Sequence, residues 1–412
     1  MSDLIDAQVV FDGQFDVYVM QHVSIPKEMG QPRADQMQGT VFEQLAELAG
    51  RVCYDSLGKG RNSAGFHKHI IEVAHLSVYE HVNFTVEIRP YESSWLPGGE
   101  FERERLLPHF LNRPSLFVRL VDRHAIRVTL NVRHILEWTR GPVVDAPWYW
   151  TIADGLLRIL RVACPQISAQ VASLESAVRE ESVKEQEGPR RHDLPFIQLR
   201  HVAAETDDEH WVSLYLSGSR GFSHEQVRHG DWTGISQQST RYCDESESPW
   251  VEHPLEAAYS ETLSDVDDHD ELALFTSQRD EAIAACQALY IKRVEHIEDW
   301  LVQRGVDKLT ARKQARGVAR GYLGNALQTT LIFSANVAQW GRMLLARCSA
   351  AADAEIRAVY VRVLREMQGV VATPSLLAFE LSPSPDGIGE IATLAPNSPE
   401  KRDQILRQWR VV

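Results

Sequence analysis

The chain reads as an α+β protein, and three observations predict it. Short runs in which apolar and polar residues alternate, such as Asn83 to Ile88 and Trp211 to Leu216, carry the period of half-buried strands. Longer stretches, such as Val41 to Val52 and Glu271 to Arg304, repeat apolar residues every three to four positions, the period of helices. The two kinds do not alternate regularly along the chain, which argues against a doubly wound sheet.

In order, Val41–Val52 and Phe66–Ala74 have helical spacing, Asn83–Ile88 alternates as a strand, and Leu116–Leu130 alternates again. Asn131–Trp138 and Trp150–Val162 are predicted helices. A charged stretch with breakers, Arg179 to Asp193, reads as a linker, so a boundary is expected near Pro195, giving modules 1–194 and 195–412. Past it, Trp211–Leu216 is a strand, and Glu271–Arg304, Leu309–Ala346 and Ala352–Gln368 are predicted helices. The segment from Ser382 to Glu400 is rich in Pro, Ser and Gly and is expected as a surface wrap or loose end.

Composition narrows the function. A chain of 412 residues with 44% hydrophobic and 24% charged residues buries large cores and is expected to be soluble. Its net charge of −14 excludes the basic face that wraps a nucleic-acid polymer. The acidic start Met1–Ala7 lacks the order of a secretory signal, and the most apolar later segment, Ala326–Ala346, is interrupted by Gln328, Asn336, Gln339 and Arg342, too polar for a membrane span. The five cysteines are scattered with no CxxC pair, as expected of reduced thiols in a cytoplasm. No metal is expected: His67 and His69 are two apart on a predicted helix and face different ways. The acidic run Asp265–Glu271 reads as a helix start capped at Ser264, and Cys243 reads as a packing residue.

Against this acidic background, Ser219 to Tyr242 gathers Arg220, Arg228 and Arg241 with His224, His229 and several hydroxyls and amides around glycines. That is how a loop is built to hold an anionic, hydrogen-bonding ligand such as a nucleotide. The segment contains Ser219-Arg220, Ser223-His224-Glu225, Arg228-His229-Gly230 and Ser239-Thr240-Arg241-Tyr242. Downstream, Ala319-Arg320, Leu323, Thr329, Asn336, Arg347 and Glu355-Ile356 follow at fixed spacing. In the first half stand Arg51-Val52-Cys53-Tyr54, His75-Leu76-Ser77 through Glu80-His81 to Phe84-Thr85, and Asn131-Val132-Arg133, with Leu157–Pro165 as a closing helix.

This series resembles the flavin-dependent thymidylate synthases, and the chain looks like two fused, diverged copies of that family. Each module would then be a small, mostly antiparallel sheet packed with long helices. The first copy lacks the Arg-His-Arg loop, and the second retains it with one extra residue. The resemblance implies an enzyme that methylates C5 of a uridylate, by default dUMP to dTMP, with FAD as cofactor and NADPH and methylenetetrahydrofolate as cosubstrates. It implies a homodimer that forms a pseudo-tetramer with two complete sites. By position, Arg228, His229, His75, Ser77, Glu80, Asn131, Arg133, Asn336 and Arg342 would contact FAD. Ser239, Arg241, Arg320, Glu225 and Gln237 would hold the pyrimidine nucleotide. Arg347 would sit against the pyrimidine and, with Ser239, serve catalysis.

Three departures stand out: Gly230 replaces an arginine, Glu225 replaces a glutamine, and Ala338 replaces the arginine of a second Asn-x-Arg. They open two further readings, a flavoenzyme acting on another pyrimidine nucleotide (UMP or a modified base) and a catalytically silent nucleotide- or flavin-binding homologue. Plainer readings remain for single residues. Asn131 reads equally well as a helix cap, His75 as a histidine satisfied by helix carbonyls, and Arg320 and Arg347 as exposed helical arginines. The turn Gly58–Gly65 reads as a connector or as a phosphate cradle.

Overall fold

A computed structural model describes residues 5–12, 37–57, 60–90, 116–121, 125–140, 149–187, 197–229, 234–371, 373–395 and 398–411. Strand β1 (Asp6–Asp12) precedes helices α1 (Val41–Cys53) and α2 (Ser63–Glu72), a 3-10 turn (Leu76–His81) and strands β2 (Asn83–Pro90), β3 (Phe117–Leu120) and β4 (Ile126–Asn131). Helices α3 (Val132–Arg140), α4 (Tyr149–Ala163), α5 (Pro165–Ala169) and α6 (Ala172–Glu187) follow, then β5 (Ile197–Val202) and β6 (Trp211–Ser219). Next come α7 (Arg220–Gln226), β7 (Gly234–Gln237), α8 (Pro254–Asp265), the 35-residue α9 (His269–Gln303), α10 (Lys308–Ala319), β8 (Gln328–Asn336), α11 (Val337–Arg347) and α12 (Ala354–Val370). A hairpin of β9 (Phe379–Pro383) and β10 (Glu390–Leu394) and a final helix α13 (Pro399–Gln408) complete the chain.

The main strands form two four-stranded sheets, ordered β3-β4-β2-β5 and β1-β6-β8-β7, with every pairing antiparallel. The arrangements correspond. A long central pair, β2–β4 or β6–β8, is flanked by a short strand on one side, and β4 and β8 each run directly into a helix opened by an asparagine. Asn131 Oδ1 accepts from His134 N at 2.9 Å, and Asn336 Oδ1 accepts from Gln339 N at 2.8 Å. These caps satisfy backbone donors at helix starts that have no partner within the helix.

The outer strands cross over. β1, from the chain start, pairs with β6 of the second sheet, whereas β5, which directly precedes β6, pairs with β2 of the first. A cut at Pro195 therefore does not separate the two sheets. Among the described residues, no helix is long and apolar enough to cross a membrane.

The β6–β8 pair lies at the centre of the molecule. Val212, Leu214, Leu216, Leu331, Phe333 and Ala335 point into one core with α11 and α12, while Tyr215 and Ile332 point into the other, built on α1, α4, β2 and β4. The seam between the cores is polar where the 3-10 turn meets β7 and β8. His81, 1% exposed, bonds Ser334 Oγ through Nδ1 at 2.7 Å and Ser236 Oγ through Nε2 at 2.9 Å, and Ser213 Oγ lies 2.5 Å from Ser334 Oγ. Burial pushes the His81 imidazole down to about 3, so it remains neutral, with one nitrogen donating and the other accepting. A Cβ on Gly234 would lie 3.0 Å from the backbone of Glu80 and His81, so glycine permits this close approach.

Three expectations change. The stretch Leu309–Ala346 is not one helix: α10 ends at Ala319, β8 occupies Gln328–Asn336, and α11 follows. Buried on both faces, β8 shows no alternation and imitates a buried helix. The linker expected from Arg179 is helical as far as Glu187, and residues 188–196 lie outside the described residues. The segment from Ser382 is no loose end, because the β9–β10 hairpin and α13 carry Trp409 into the core. Its indole is fully buried, stacks on Phe379 at 5.9 Å, and donates from Nε1 to Asp207 Oδ2 at 2.9 Å. A Cβ on Gly341 would lie 2.5 Å from that ring.

Two outcomes follow from this packing. Trp409→Ala should lower the unfolding free energy by about 3–5 kcal/mol in urea titrations, the cost of deleting a buried large aromatic side chain; a loss below about 1 kcal/mol would contradict the seating of the tail. His81 and His67, which burial holds near 3 and about 4, bind fewer protons folded than unfolded between those values and the ordinary 6.5. Stability should be full above pH about 6.5 and decline on acidification below it. His81→Gln should flatten that decline in thermal melts without abolishing it, since His67 remains.

Candidate nucleotide and cofactor site

The residues singled out in the sequence fall into three places. The corner where β6 turns into α7 is fixed first. Ser219 caps α7, its Oγ accepting from Phe222 N at 3.0 Å, and it is held by Glu355, whose two carboxylate oxygens accept from Ser219 N at 2.7 Å and Ser219 Oγ at 2.6 Å. The segment read as a loop is thus partly helical, with Val227–His229 forming a 3-10 turn after α7. Gly230 lies outside the described residues.

Helix α7 carries a charged group near each end, Arg220 and Glu225. At its start, Arg220 donates from Nη2 to the Gln238 carbonyl at 3.1 Å, while its buried Nε has no partner among the described residues. Burial pulls the Arg220 guanidinium below its ordinary range; Glu245 opposes this and the neighbouring charge of Arg320 adds to it. Arg320, in the 3-10 turn after α10, and Arg241, beside α10, are exposed, and neither has an ion-pair partner among the described residues. Like charges left close together and unpaired make a place where an anion is strongly favoured.

Midway along α7, Ser223 Oγ accepts from Gln237 Nε2 at 2.9 Å, which also donates to Thr329 Oγ1 at 3.1 Å. Near its far end, Glu225 Oε2 accepts from Arg347 Nη1 at 2.7 Å, and Arg347 Nε donates to His229 Nε2 at 2.8 Å. A guanidinium only donates, so His229 accepts through Nε2 and carries its proton on Nδ1. Burial, then Arg347, lowers its pKa. Arg228 next to it is exposed, with no ion pair among the described residues. From Arg220 to Glu225 the helix rises about 7.5 Å, at 1.5 Å per residue.

The first half meets this region through the seam. Ser239 N donates to the Cys53 carbonyl at 2.9 Å, and Tyr54, hydrogen-bonded to His75 Nδ1 at 2.9 Å, packs edge-on against Tyr242 with ring centroids 4.8 Å apart. Burial lowers the pKa of His75. Ser77 is half-buried on the 3-10 turn. Glu80, whose backbone adjoins Gly234, pairs with Arg133, and Arg133 also pairs with Glu137 at 2.6 Å. Two carboxylates therefore compensate the Arg133 charge. Asn131 spends its side-chain oxygen on the α3 cap.

Asn336 and Arg342 stand apart. Asn336 pairs with Trp211 at the opposite end of β8 from Gln328, eight residues or roughly 26 Å away at the rise of a strand. Its amide donates to the Asp208 carbonyl at 3.1 Å, and Arg342 donates to the Trp409 carbonyl at 2.6 Å. Within one chain neither joins the cluster around α7. Asn336 caps α11, a role the sequence reading offers only for Asn131.

Four residues carry no individual role in the sequence reading: Arg220, Glu355, Lys313 and Arg316. Arg220 was quoted within its motif, but only its burial beside Arg320 shows that it shares the cationic cluster. Glu355 stood in the downstream series without a function, and the structure makes it the anchor of Ser219. Lys313 lies with Nζ 4.5 Å from the centre of the Tyr242 ring, and Arg316 binds the Tyr242 carbonyl and Asp244. The signal for both was their spacing of three on one helix face, running into Arg320.

Comparison with known proteins agrees with this geometry. The family described as thymidylate synthase complementing protein matches residues 205–373, from just before β6 to just past α12. The flavin-dependent thymidylate synthase of Mycolicibacterium gilvum (strain PYR-GCK) is 35% identical over 185 residues, covering 44% of this chain and 66% of that protein. That of Mycobacterium marinum (strain ATCC BAA-535 / M) is 35% identical over 203 residues, 48% of this chain and 70% of that protein. The protein of the same name from Mycobacterium tuberculosis (strain ATCC 25177 / H37Ra) is 34% identical over 185 residues, 44% of this chain and 66% of that protein. The chain thus spans about two thirds of the length of these relatives. On this coverage and identity, the chain belongs to the flavin-dependent thymidylate synthase family.

Proposed function

We propose that this protein is an enzyme that methylates C5 of a uridylate, dUMP by default, with FAD as cofactor and NADPH and methylenetetrahydrofolate as cosubstrates. One observation carries the reading: α7 joins unpaired guanidiniums at one end to the Arg347–Glu225–His229 cluster at the other. The separation is of the order of that between the phosphate and the base of a nucleoside monophosphate. Arg220, Arg241 and Arg320 hold the phosphate, because guanidiniums stay charged and fork onto its oxygens. Ser239 and Gln237 fix the nucleotide between the ends, and Arg347 lies against the pyrimidine, where it stabilises charge that develops on the ring.

The residues available to FAD fit a diphosphate-bearing, hydrogen-bonding group in part. Arg228 offers an uncompensated cation, and Ser77 and His75 offer donors across the seam. FAD supplies the reducing equivalents; the protein's share is to hold the reactants stacked and in register and to exclude water. Because His75, Ser77, Glu80 and Arg133 come from the first half and Arg228 and His229 from the second, the site is shared between two diverged copies. The matching sheet orders support the duplication, and the reciprocal crossing of β1 and β5 locks the copies together. We further propose that the chain acts as a homodimer, a pseudo-tetramer with two sites, in a cytoplasmic setting.

Two measurements decide the reading. The purified protein should show a flavin absorbance band, and Arg347→Ala should retain that band while tritium release from 5-labelled dUMP falls by at least about a hundredfold, the scale of removing a charge-stabilising donor. Colourless protein that takes up no FAD, or release of label from UMP alone, would overturn the cofactor or the default substrate respectively. Arg133→Ala should weaken FAD roughly tenfold in equilibrium titrations; unchanged affinity would mean that the second half binds the cofactor without the first.

A further inference from the structure

Helix α10 carries its cations on two faces. Arg312 and Arg316 are paired, with Glu298 at 3.2 Å and with Asp244 at 2.6 Å. Lys313, Gly317 and Arg320 share the next face, turned away from the fully buried Ala311, Ala315 and Ala319. Gly317 leaves this face open: a Cβ there would lie 3.9 Å from Arg241 Cγ and 4.0 Å from its Nε, so the Arg241 side chain lies along the helix at that level. One turn earlier, Lys313 Nζ sits 4.5 Å from the centre of the neighbouring Tyr242 ring. Among the described residues, none of Lys313, Arg241 and Arg320 forms an ion pair. We infer that this face extends the phosphate end of the site into a track for further phosphates. A nucleoside triphosphate of the same base class binds it, with its first phosphate at Arg241 and Arg320 and its outer ones at Lys313. The inference rests on the nucleotide reading above.

Spacing and charge both support the track. Lys313 and Gly317 are one turn apart, about 6 Å along the helix axis. A lone phosphate held by Arg241 and Arg320 does not cross that turn, whereas the outer phosphates of a triphosphate do. The ring of Tyr242 holds the Lys313 ammonium by its face and leaves the N–H groups free to donate. An ammonium on a flexible stem suits a terminal phosphate, which it meets as a point charge. The neighbouring carboxylates are engaged elsewhere: Asp244 with Arg316, Glu298 with Arg312, and Glu245 Oε2 with Ser248 Oγ at 2.7 Å. In a chain of net charge −14, this leaves a local cationic surplus along one helix face. A triphosphate held here shares the base and sugar contacts of the monophosphate and excludes it. A phosphoryl-transfer reaction that consumes the nucleotide product would thus return an inhibitor to this site.

The test titrates the full chain with dUMP, dUTP and inorganic tripolyphosphate by calorimetry, with divalent cations chelated, and repeats the series on Lys313→Ala and Lys313→Glu. The wild type should bind dUTP about tenfold more tightly than dUMP, the effect of one added charge-assisted contact. The two nucleotides should compete for one site. Lys313→Ala should remove the preference while dUMP affinity stays within about twofold, as expected for an exposed charge that the monophosphate does not touch. Lys313→Glu should reverse the preference, so that dUTP binds more weakly than dUMP. A wild type that binds dUTP no more tightly than dUMP, or a preference that survives both substitutions, overturns the inference alone. Tripolyphosphate that binds as tightly as dUTP without displacing dUMP also overturns it, because the face would then be a polyanion surface separate from the nucleotide site. Failure of the wild type to bind dUMP at all overturns the nucleotide reading itself, and the inference with it.

Discussion

The contact on which the rest of the structure depends is the uncharged His81 imidazole held between Ser236 and Ser334 at the seam of two cores. Three hydroxyls and one ring are satisfied there without water, and Gly234 allows the backbones to touch. A buried polar group that loses its partner costs of the order of 1–3 kcal/mol, so this seam tolerates little sliding. Its register fixes where β7 lies against the 3-10 turn. Through β7 it also fixes where Gln237, Ser239 and Arg241 stand relative to Tyr54 and His75.

A second constraint is the crossing of the outer strands. Each sheet is completed by a strand that leads into the other half, so neither sheet closes without both halves. The arrangement suits a site assembled from pieces of each half, because neither half can rotate away without breaking a sheet. Charge is handled with the same economy. The chain is strongly acidic, yet Arg241 and Arg320 form no ion pair among the described residues, while Arg220 lies near Glu245 and Arg347 is paired with Glu225.

Much of this was legible in the sequence, and the failures have physical causes. Helix α1 was readable because the apolar residues of Val41–Val52 recur at helical spacing. Strand β8 was not, because burial on both faces removes the alternation that identifies a strand. Of the two readings of the C-terminal segment, the loose end fails: its Pro, Ser and Gly content suggests a surface segment, and Trp409, which anchors it, lies beyond that stretch. Asn336 stands in the downstream series, although its Asn-x-Arg is broken at Ala338, and Arg342 is placed beside FAD by position alone. The structure nevertheless sets them at the far end of β8, one as a cap and the other on the tail.

The sequence by itself determined the family, the α+β class and the gathering of cations around one strand-to-helix corner. Residue type and spacing along one strand-to-helix corner are local properties that the chain carries in linear form. Only the tertiary structure decided that the two halves exchange strands, that Arg220 joins Arg320, and that Glu225 neutralises Arg347. Those facts concern residues up to about two hundred positions apart, brought together by packing around a buried sheet, and burial and pairing exist only once the chain has folded.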